Sequence, residues 1–271
     1  MTVEEQKTPV VALTIAGFDP SGGAGVVADI KTFTAFGCFA TAAVTSLTYQ
    51  NTTGVFGAAH QTAEAVRAQV LPVLEDFEVA GVKTGMLPTR EVILEVARLF
   101  RETALPAPVV DPVVRSTSGY DLIDDAALDA LKAELMPLAR LLTPNIPEAE
   151  RITGERIRNE ADMRRAAHRM REMGARAVLV KGGHLTGVEA LDLLLDESGR
   201  VSLFRAARIE TTATHGTGCT LAAAIAASLA HSFSLEEAIG AAKRFVTDAI
   251  LHAPRLGHGH SPINHSVAVK E

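Results

Sequence analysis

The chain has little of what marks a secreted, membrane-bound or nucleic-acid-binding protein. There are only two cysteines, Cys38 and Cys219, far apart in sequence. They do not make a disulfide framework, which fits a reducing compartment. The first residues carry two glutamates and no apolar run, so no secretory signal is visible and a cytoplasmic protein is expected. The longest apolar run, 219–230, falls well short of the about 20 residues that cross a bilayer. The net charge of −6 argues against broad nucleic-acid binding and against a polybasic membrane surface. Repeats, low-complexity tracts and clear linkers are also missing, and one domain over residues 1–271 is expected.

Two nucleotide motifs are absent as well. The pattern G-x-x-x-x-G-K-[ST] does not occur. Gly23-Ala24-Gly25-Val26-Val27-Ala28 resembles a dinucleotide fingerprint, but the run 44–51 offers Gln50 and Asn51 where an acidic ribose ligand is needed. Asp19-Pro20-Ser21 also puts an unusual acidic turn before those glycines.

What is present is a 47% hydrophobic chain that alternates β-branched runs with amphipathic helical stretches. Strands are expected near 10–15, 41–47, 79–83, 109–110, 140–143 and 177–180, with a hairpin over 191–204. Helices are expected over 24–36, 62–74, 89–100, 126–135 and 160–173, with others opening at Pro147 and at the Ser234/Glu237 capping box. This alternation implies a parallel, helix-covered α/β sheet. The segment 255–265 is expected to be a tail packed on the surface.

Ligands of open α/β sheets sit beyond the carboxyl ends of the strands. The polar residues able to do chemistry follow the expected strands. Thr214-His215-Gly216-Thr217-Gly218-Cys219 opens a helix-prone run, where unpaired amides and the helix dipole favour an anion. Asn145 and Glu148 could hold a hydrated Mg²⁺ or simply cap a helix. Lys181 could neutralise phosphate or merely snorkel out of a strand end. A helix terminus lowers a thiol pKa, so Cys219 could be a nucleophile, a base or a small core residue. His215 with Cys219, or with His258, His260 and His265, could make a Cys–His hydrolase or a zinc site, but neither spacing is specific.

Taken in order, six motifs resemble the hydroxymethylpyrimidine/phosphomethylpyrimidine kinase family. They are Ala16–Gly25 with Ala28–Phe33, Gln50-Asn51-Thr52, Lys83–Leu87 with Asp111-Pro112-Val113, Thr143–Ala149, Val180–His184 and Thr214–Cys219. The resemblance implies a ribokinase-like three-layer α/β/α sandwich with a mostly parallel sheet and a small flap. It implies ATP-dependent phosphorylation of 4-amino-5-hydroxymethyl-2-methylpyrimidine to its monophosphate and then its diphosphate, within thiamine diphosphate biosynthesis. It further implies that Gln50, Asp29, Gly17, Met86 and Val113 surround the pyrimidine, and that Asn145, Lys181 and Thr217 meet ATP. Asp111 and Glu148 would hold Mg²⁺ through water, and Gly216, Thr217, Gly218 and Cys219 would form the anion hole with Cys219 as base. The family is expected to be homodimeric, and the segment 115–119 is expected in the flap. Pyridoxal kinases of the same fold are the nearest alternative.

Overall fold

The computed structural model describes residues 8–114, 122–183, 185 and 187–269; the segment 115–119 expected in the flap therefore lies outside the described residues. In chain order the elements are β1 Val11–Phe18, α1 Gly25–Ala35, β2 Phe39–Asn51, β3 Gly54–His60, α2 Ala63–Asp76, β4 Val79–Thr84 and α3 Arg90–Glu102. They continue with β5 Val109–Val110, α4 Asp125–Ala130, β6 Leu141–Leu142, α5 Ile146–Thr153 and α6 Glu160–Glu172. The last are β7 Val178–Lys181, β8 Glu189–Leu195, β9 Val201–Ala207, α7 Thr217–Ala230 and α8 Leu235–Leu251.

All nine strands form one sheet in the order β3-β2-β1-β4-β5-β6-β7-β8-β9. The strands from β2 to β7 are parallel to their neighbours. The edges are finished by antiparallel partners, β3 on one side and β8 with β9 on the other. Strand side chains alternate between faces, and the core divides accordingly. Leu13, Ile15, Val110, Leu142, Val178 and Val180 pack with α2 to α6. Ala12, Val109, Leu141 and Leu179 pack with α1, α7 and α8 on the opposite face. The result is helix, sheet and helix in three layers.

Local chemistry explains the helix starts. Thr62 accepts from the Ala65 amide and Thr89 from the Val92 amide. Ser234 and Glu237 form the expected capping box. The helix expected over 126–135 is regular only to Ala130, then widens over Leu131–Leu135 and tightens over Met136–Leu138. Strand β2 runs further than expected at both ends and turns at Thr52 and Thr53 into β3, which hydrophobic alternation did not reveal. The 255–265 segment is a correction. Residues 255–258 are exposed as expected, but the rest is not a surface tail: Ser261, Ile263 and His265 are buried, Pro262 pairs with His215, and Thr220 Oγ1 lies 2.9 Å from His265 Nε2. Among the described residues no helix is long and apolar enough to cross a membrane.

Strand β1 has β2 on one side and β4 on the other, so the chain reverses its direction of travel across the sheet there. Such a reversal opens a crevice at the carboxyl ends. A buried ion pair lies under it. Lys83 Nζ on β4 donates to Asp29 Oδ2 on α1 at 2.8 Å, and Thr14 Oγ1 on β1 donates to the same oxygen at 2.6 Å. Both charged side chains are fully buried. Burial opposes the lysine charge, but Asp29 more than compensates and Lys83 stays protonated. Removing one partner leaves an unpaired buried charge. Lys83→Met is therefore expected to lower stability by about 3–5 kcal/mol in urea unfolding, whereas the double change Lys83→Met/Asp29→Leu recovers most of that loss.

Candidate active site

The carboxyl ends of the parallel strands open into a cavity of about 1010 Å³. Its first wall is the loop after β1. Asp19, almost wholly buried, accepts from the amides of Ser21 at 2.8 Å, Gly23 at 3.2 Å and Ala24 at 2.9 Å. The same carboxylate accepts from His215 Nε2 at 2.8 Å. Burial alone would raise the Asp19 pKa, but the hydrogen bonds from His215 and Ser21 outweigh it and hold the group below its ordinary range. The partner fixes the imidazole proton on Nε2.

His215 leads into the tip of α7. Gly216 caps that helix with φ +85°, and a Cβ there would sit 1.8 Å from the Gly23 carbonyl oxygen. Only glycine allows the two loops to touch in this way. The Thr217 amide turns back to Thr214, while helix geometry leaves the Gly218 and Cys219 amides without an intrahelical acceptor. These donors face the cavity, which Gly216, Thr217, Gly218 and Cys219 all line. A positive helix end and free amides can hold an anion.

Opposite the helix tip stands a charged cluster. Lys181, at the end of β7, donates to Asp111 Oδ1 at 2.8 Å, and Thr143 Oγ1 donates to the same oxygen at 3.3 Å. A Cβ on Gly218 would lie 3.2 Å from Lys181 Nζ and 3.7 Å from Asp111 Oδ2. Glycine thus lets the helix tip approach both charges. Asn145 and Glu148 form the capping box of α5: the Glu148 amide donates to Asn145 Oδ1, and the Asn145 amide to Glu148 Oε2. Burial pushes Glu148 up to about 7; Lys181 opposes the shift and Asp111 adds to it. Asp111 Oδ2 has no protein partner among the described residues. The free Asp111 Oδ2 beside the Glu148 carboxylate suits a hydrated divalent cation of the Mg²⁺ type. No group of three or more ligands gathers among the described residues, so waters or a bound phosphate would have to complete the shell. The zinc reading of His215 loses its basis, because that ring is committed to Asp19.

The remaining wall is apolar with one amide. Gly17, Met86, Val113 and Val55 line it, and a Cβ on Gly17 would come 3.1 Å from Met86 Sδ. Gln50 Nε2 donates to Thr48 Oγ1 at 2.6 Å, and Thr48 in turn donates to the Phe18 carbonyl. The carboxamide is thereby oriented from β2 into the cavity.

The cavity brings together Gly17, Gln50, Met86, Asp111, Val113, Asn145, Glu148, Lys181 and residues 216–219. Two expectations are corrected. Asp29 is not in the cavity wall; it lies fully buried beneath, neutralising Lys83. Cys219 does not carry a lowered pKa. Burial raises its thiol to about 11, because loss of water outweighs the helix end and the opposing charge of Lys83. Sequence reasoning noticed Asp19 only as an odd turn and missed Thr48, Val55 and the Lys243–Asp192 pair, 2.7 Å long, at the far end of the cavity.

A raised carboxyl pKa has a definite sign. The folded state holds the Glu148 proton more tightly than the unfolded chain does. Its contribution to stability is present below about 4.5 and is lost as pH rises through about 7. Replacing it by Glu148→Gln should flatten that window. The stability gap between variant and wild type is expected to shift in favour of the variant by on the order of 2 kcal/mol between pH 4.5 and 7.5. Urea midpoints across that range measure it, and a constant gap would contradict the burial argument.

Comparison with known proteins agrees with this geometry. Residues 19–264 match the family model described as phosphomethylpyrimidine kinase. The hydroxymethylpyrimidine/phosphomethylpyrimidine kinase of Streptomyces coelicolor is 46% identical over 97% of each chain. The thiamine biosynthesis bifunctional protein ThiED of Geobacter sulfurreducens is 47% identical over 96% of this chain, which spans about half of that protein, 53%. Among solved structures, Bacillus subtilis pyridoxal kinase in complex with ADP superposes with a TM-score of 0.88 at 35% identity, covering 96% of this chain and 98% of that one. The three layers are those of the ribokinase-like fold, and the chain belongs to the phosphomethylpyrimidine kinase family.

Proposed function

We propose that this single-domain chain transfers the γ-phosphoryl group of ATP to 4-amino-5-hydroxymethyl-2-methylpyrimidine, and then to the resulting monophosphate, as a step of thiamine diphosphate biosynthesis. One observation carries the reading. A single cavity has an oriented carboxamide between apolar walls at one end and a helix tip facing a lysine at the other.

Gln50 offers a donor and an acceptor side by side, complementary to the N and NH₂ edge of an aminopyrimidine. Its amide is braced by Thr48, while Gly17, Met86 and Val113 clasp the ring. Lys181 spends one of its three donors on Asp111 and keeps two for phosphate oxygens. Asn145 and Thr217 flank the nucleotide phosphates. Asp111 and Glu148 would hold Mg²⁺ through water, and that ion supplies charge neutralisation across the transferred phosphate. The residues 216–219 supply amides to the equatorial oxygens of the moving group. A reducing cytoplasm suits the two free cysteines, Cys38 and Cys219. We assign the homodimer contact to the outer face of the β2–β3 hairpin, where Leu47, Tyr49 and Phe56 are exposed.

Pyridoxal is the second acceptor to weigh, on the strength of the fold shared with the Bacillus subtilis enzyme. A panel of acceptors with ATP and Mg²⁺, analysed by chromatography that separates mono- from diphosphate, decides between them. The expected result is sequential formation of both pyrimidine phosphates, with pyridoxal slower. Turnover of pyridoxal without turnover of the pyrimidine would overturn the assignment. The two steps also differ in what meets the neutral Cys219 thiol, because the first begins from an uncharged hydroxyl and the second from an ionised phosphate. Cys219→Ala is expected to slow the first transfer about tenfold, the size of one hydrogen bond, and the second less than about threefold, in single-turnover assays. Equal losses would remove Cys219 from the role of hydrogen-bond partner to the hydroxymethyl group.

A further inference from the structure

One ring in the cavity wall has no task in the scheme above. His260 lines the cavity. Its Nδ1 is buried without any hydrogen-bond partner. Its Nε2 is accessible and also bonds nothing among the described residues. An unmet buried polar atom calls for an explanation.

Careless packing is not that explanation, because the backbone around the ring is firmly held. The His260 amide donates to the Thr52 carbonyl at 2.7 Å. The His258 and Gly259 amides reach Thr52 Oγ1 at 3.2 Å and 3.3 Å. A Cβ on Gly259 would lie 2.1 Å from the Thr52 carbonyl oxygen, so the chain presses against the turn of the β2–β3 hairpin. On the other side the Ser261 carbonyl accepts from the His215 amide, and Pro262 pairs with His215. The backbone that carries the imidazole is therefore fixed between the hairpin that carries Gln50 and the loop that carries His215.

The proton position follows from the surroundings. A neutral imidazole has one N–H and one lone pair. An orphaned buried N–H is rarer than an under-satisfied acceptor, so the proton belongs on Nε2. The cavity wall thus presents an N–H donor on a firmly held backbone, with no acceptor among the described residues.

The geometry points to His260 as a binding residue for the acceptor substrate, donating its Nε2–H to a pyrimidine ring nitrogen or, in the second transfer, to a phosphate oxygen. This rests on the pyrimidine reading of the cavity. The donor lies on the Gln50 side of the cavity, beside the β2–β3 turn, and it bonds the acceptor rather than the nucleotide.

The test uses the geometry of amides in the full chain. An asparagine amide falls near the Nδ1 position of histidine, and a glutamine amide near Nε2. His260→Asn is expected to raise KM for the acceptor about tenfold, the size of one hydrogen bond, with KM for ATP within about twofold. His260→Gln should restore most of the loss. Should the Asn variant melt well below wild type, His260→Phe fills similar space without a donor and gives the same comparison against Gln. A rise for both acceptors places the bond on the ring; a rise for the monophosphate alone places it on phosphate, and either result supports the assignment. Unchanged acceptor KM, equal losses in all variants, or a matching rise in KM for ATP would reduce His260 to a structural residue. A wild-type chain that phosphorylates neither pyrimidine sinks the functional reading itself, whereas a working wild type with indifferent His260 variants sinks only this one.

Discussion

The site depends on one carboxylate. Asp19 gathers three amides of its own loop and the His215 ring from a loop nearly two hundred residues away. That clamp seats Gly216 so closely on Gly23 that a side chain at Gly216 would overlap the Gly23 carbonyl. The end of β1 and the tip of α7 therefore behave as one rigid body. Everything downstream inherits this geometry. The Gly218 and Cys219 amides hang from α7 and Gly17 of the apolar wall from β1, so their separation is set by a hydrogen-bonded cluster rather than by loop flexibility. Preorganisation of this kind is what lets fixed dipoles act on a reacting group without reorganising at that moment.

Around that clamp the electrostatics are unbalanced by design of the sequence. Three buried carboxylates, Asp29, Asp111 and Glu148, share two lysines, Lys83 and Lys181. The pairs Lys83–Asp29 and Lys181–Asp111 are close, each joined at 2.8 Å. Glu148 is the surplus, and its pKa near 7 is how the ligand-free protein accommodates it. A cation arriving beside Asp111 and Glu148 would reverse the balance and release that proton. The polar floor is thus poised for a positively charged guest, while the helix tip a few ångströms away is poised for a negative one. Metal–phosphate ligands carry both charges together.

How much of this was legible from residues alone follows from the range of the forces involved. Helix starts at Thr62, Thr89 and Ser234 depend on contacts within three residues, and they were readable. The strand ends were readable because burial on both faces leaves continuous β-branched runs. The order of the short motifs then marked one end of the sheet. Strand β3 escaped because Gly54–His60 is rich in glycine and alanine and is half-exposed at an edge. The 255–265 segment escaped because its burial comes from distant partners, Thr52, His215 and Thr220. Asp29 was misplaced for the same reason: a carboxylate inside a helix next to a glycine loop gives no sign that a lysine on another strand will bury it.

Cys219 shows where the environment overrides a local rule. The helix tip should favour a thiolate, yet burial keeps the sulfur protonated and uncharged. On the proposed chemistry that neutrality has a use. A carboxylate at this position would suit an alcohol acceptor, because it could take the hydroxyl proton. A fixed carboxylate there would repel a phosphate dianion at contact distance, by several kcal/mol at the effective dielectric of a partly buried site. A neutral thiol of similar size exerts no such repulsion, yet its sulfur can still take part in hydrogen bonding with an alcohol. One cavity can then accept first an uncharged hydroxymethyl group and later its charged phosphate ester, with the burden of charge carried by Lys181 and the helix amides. The loss of an efficient base is tolerable because phosphoryl transfer passes through a loose transition state in which positioning and electrostatics dominate. A thiol where a carboxylate could stand, inefficient by the measure of one step, would on that chemistry let two steps share a floor.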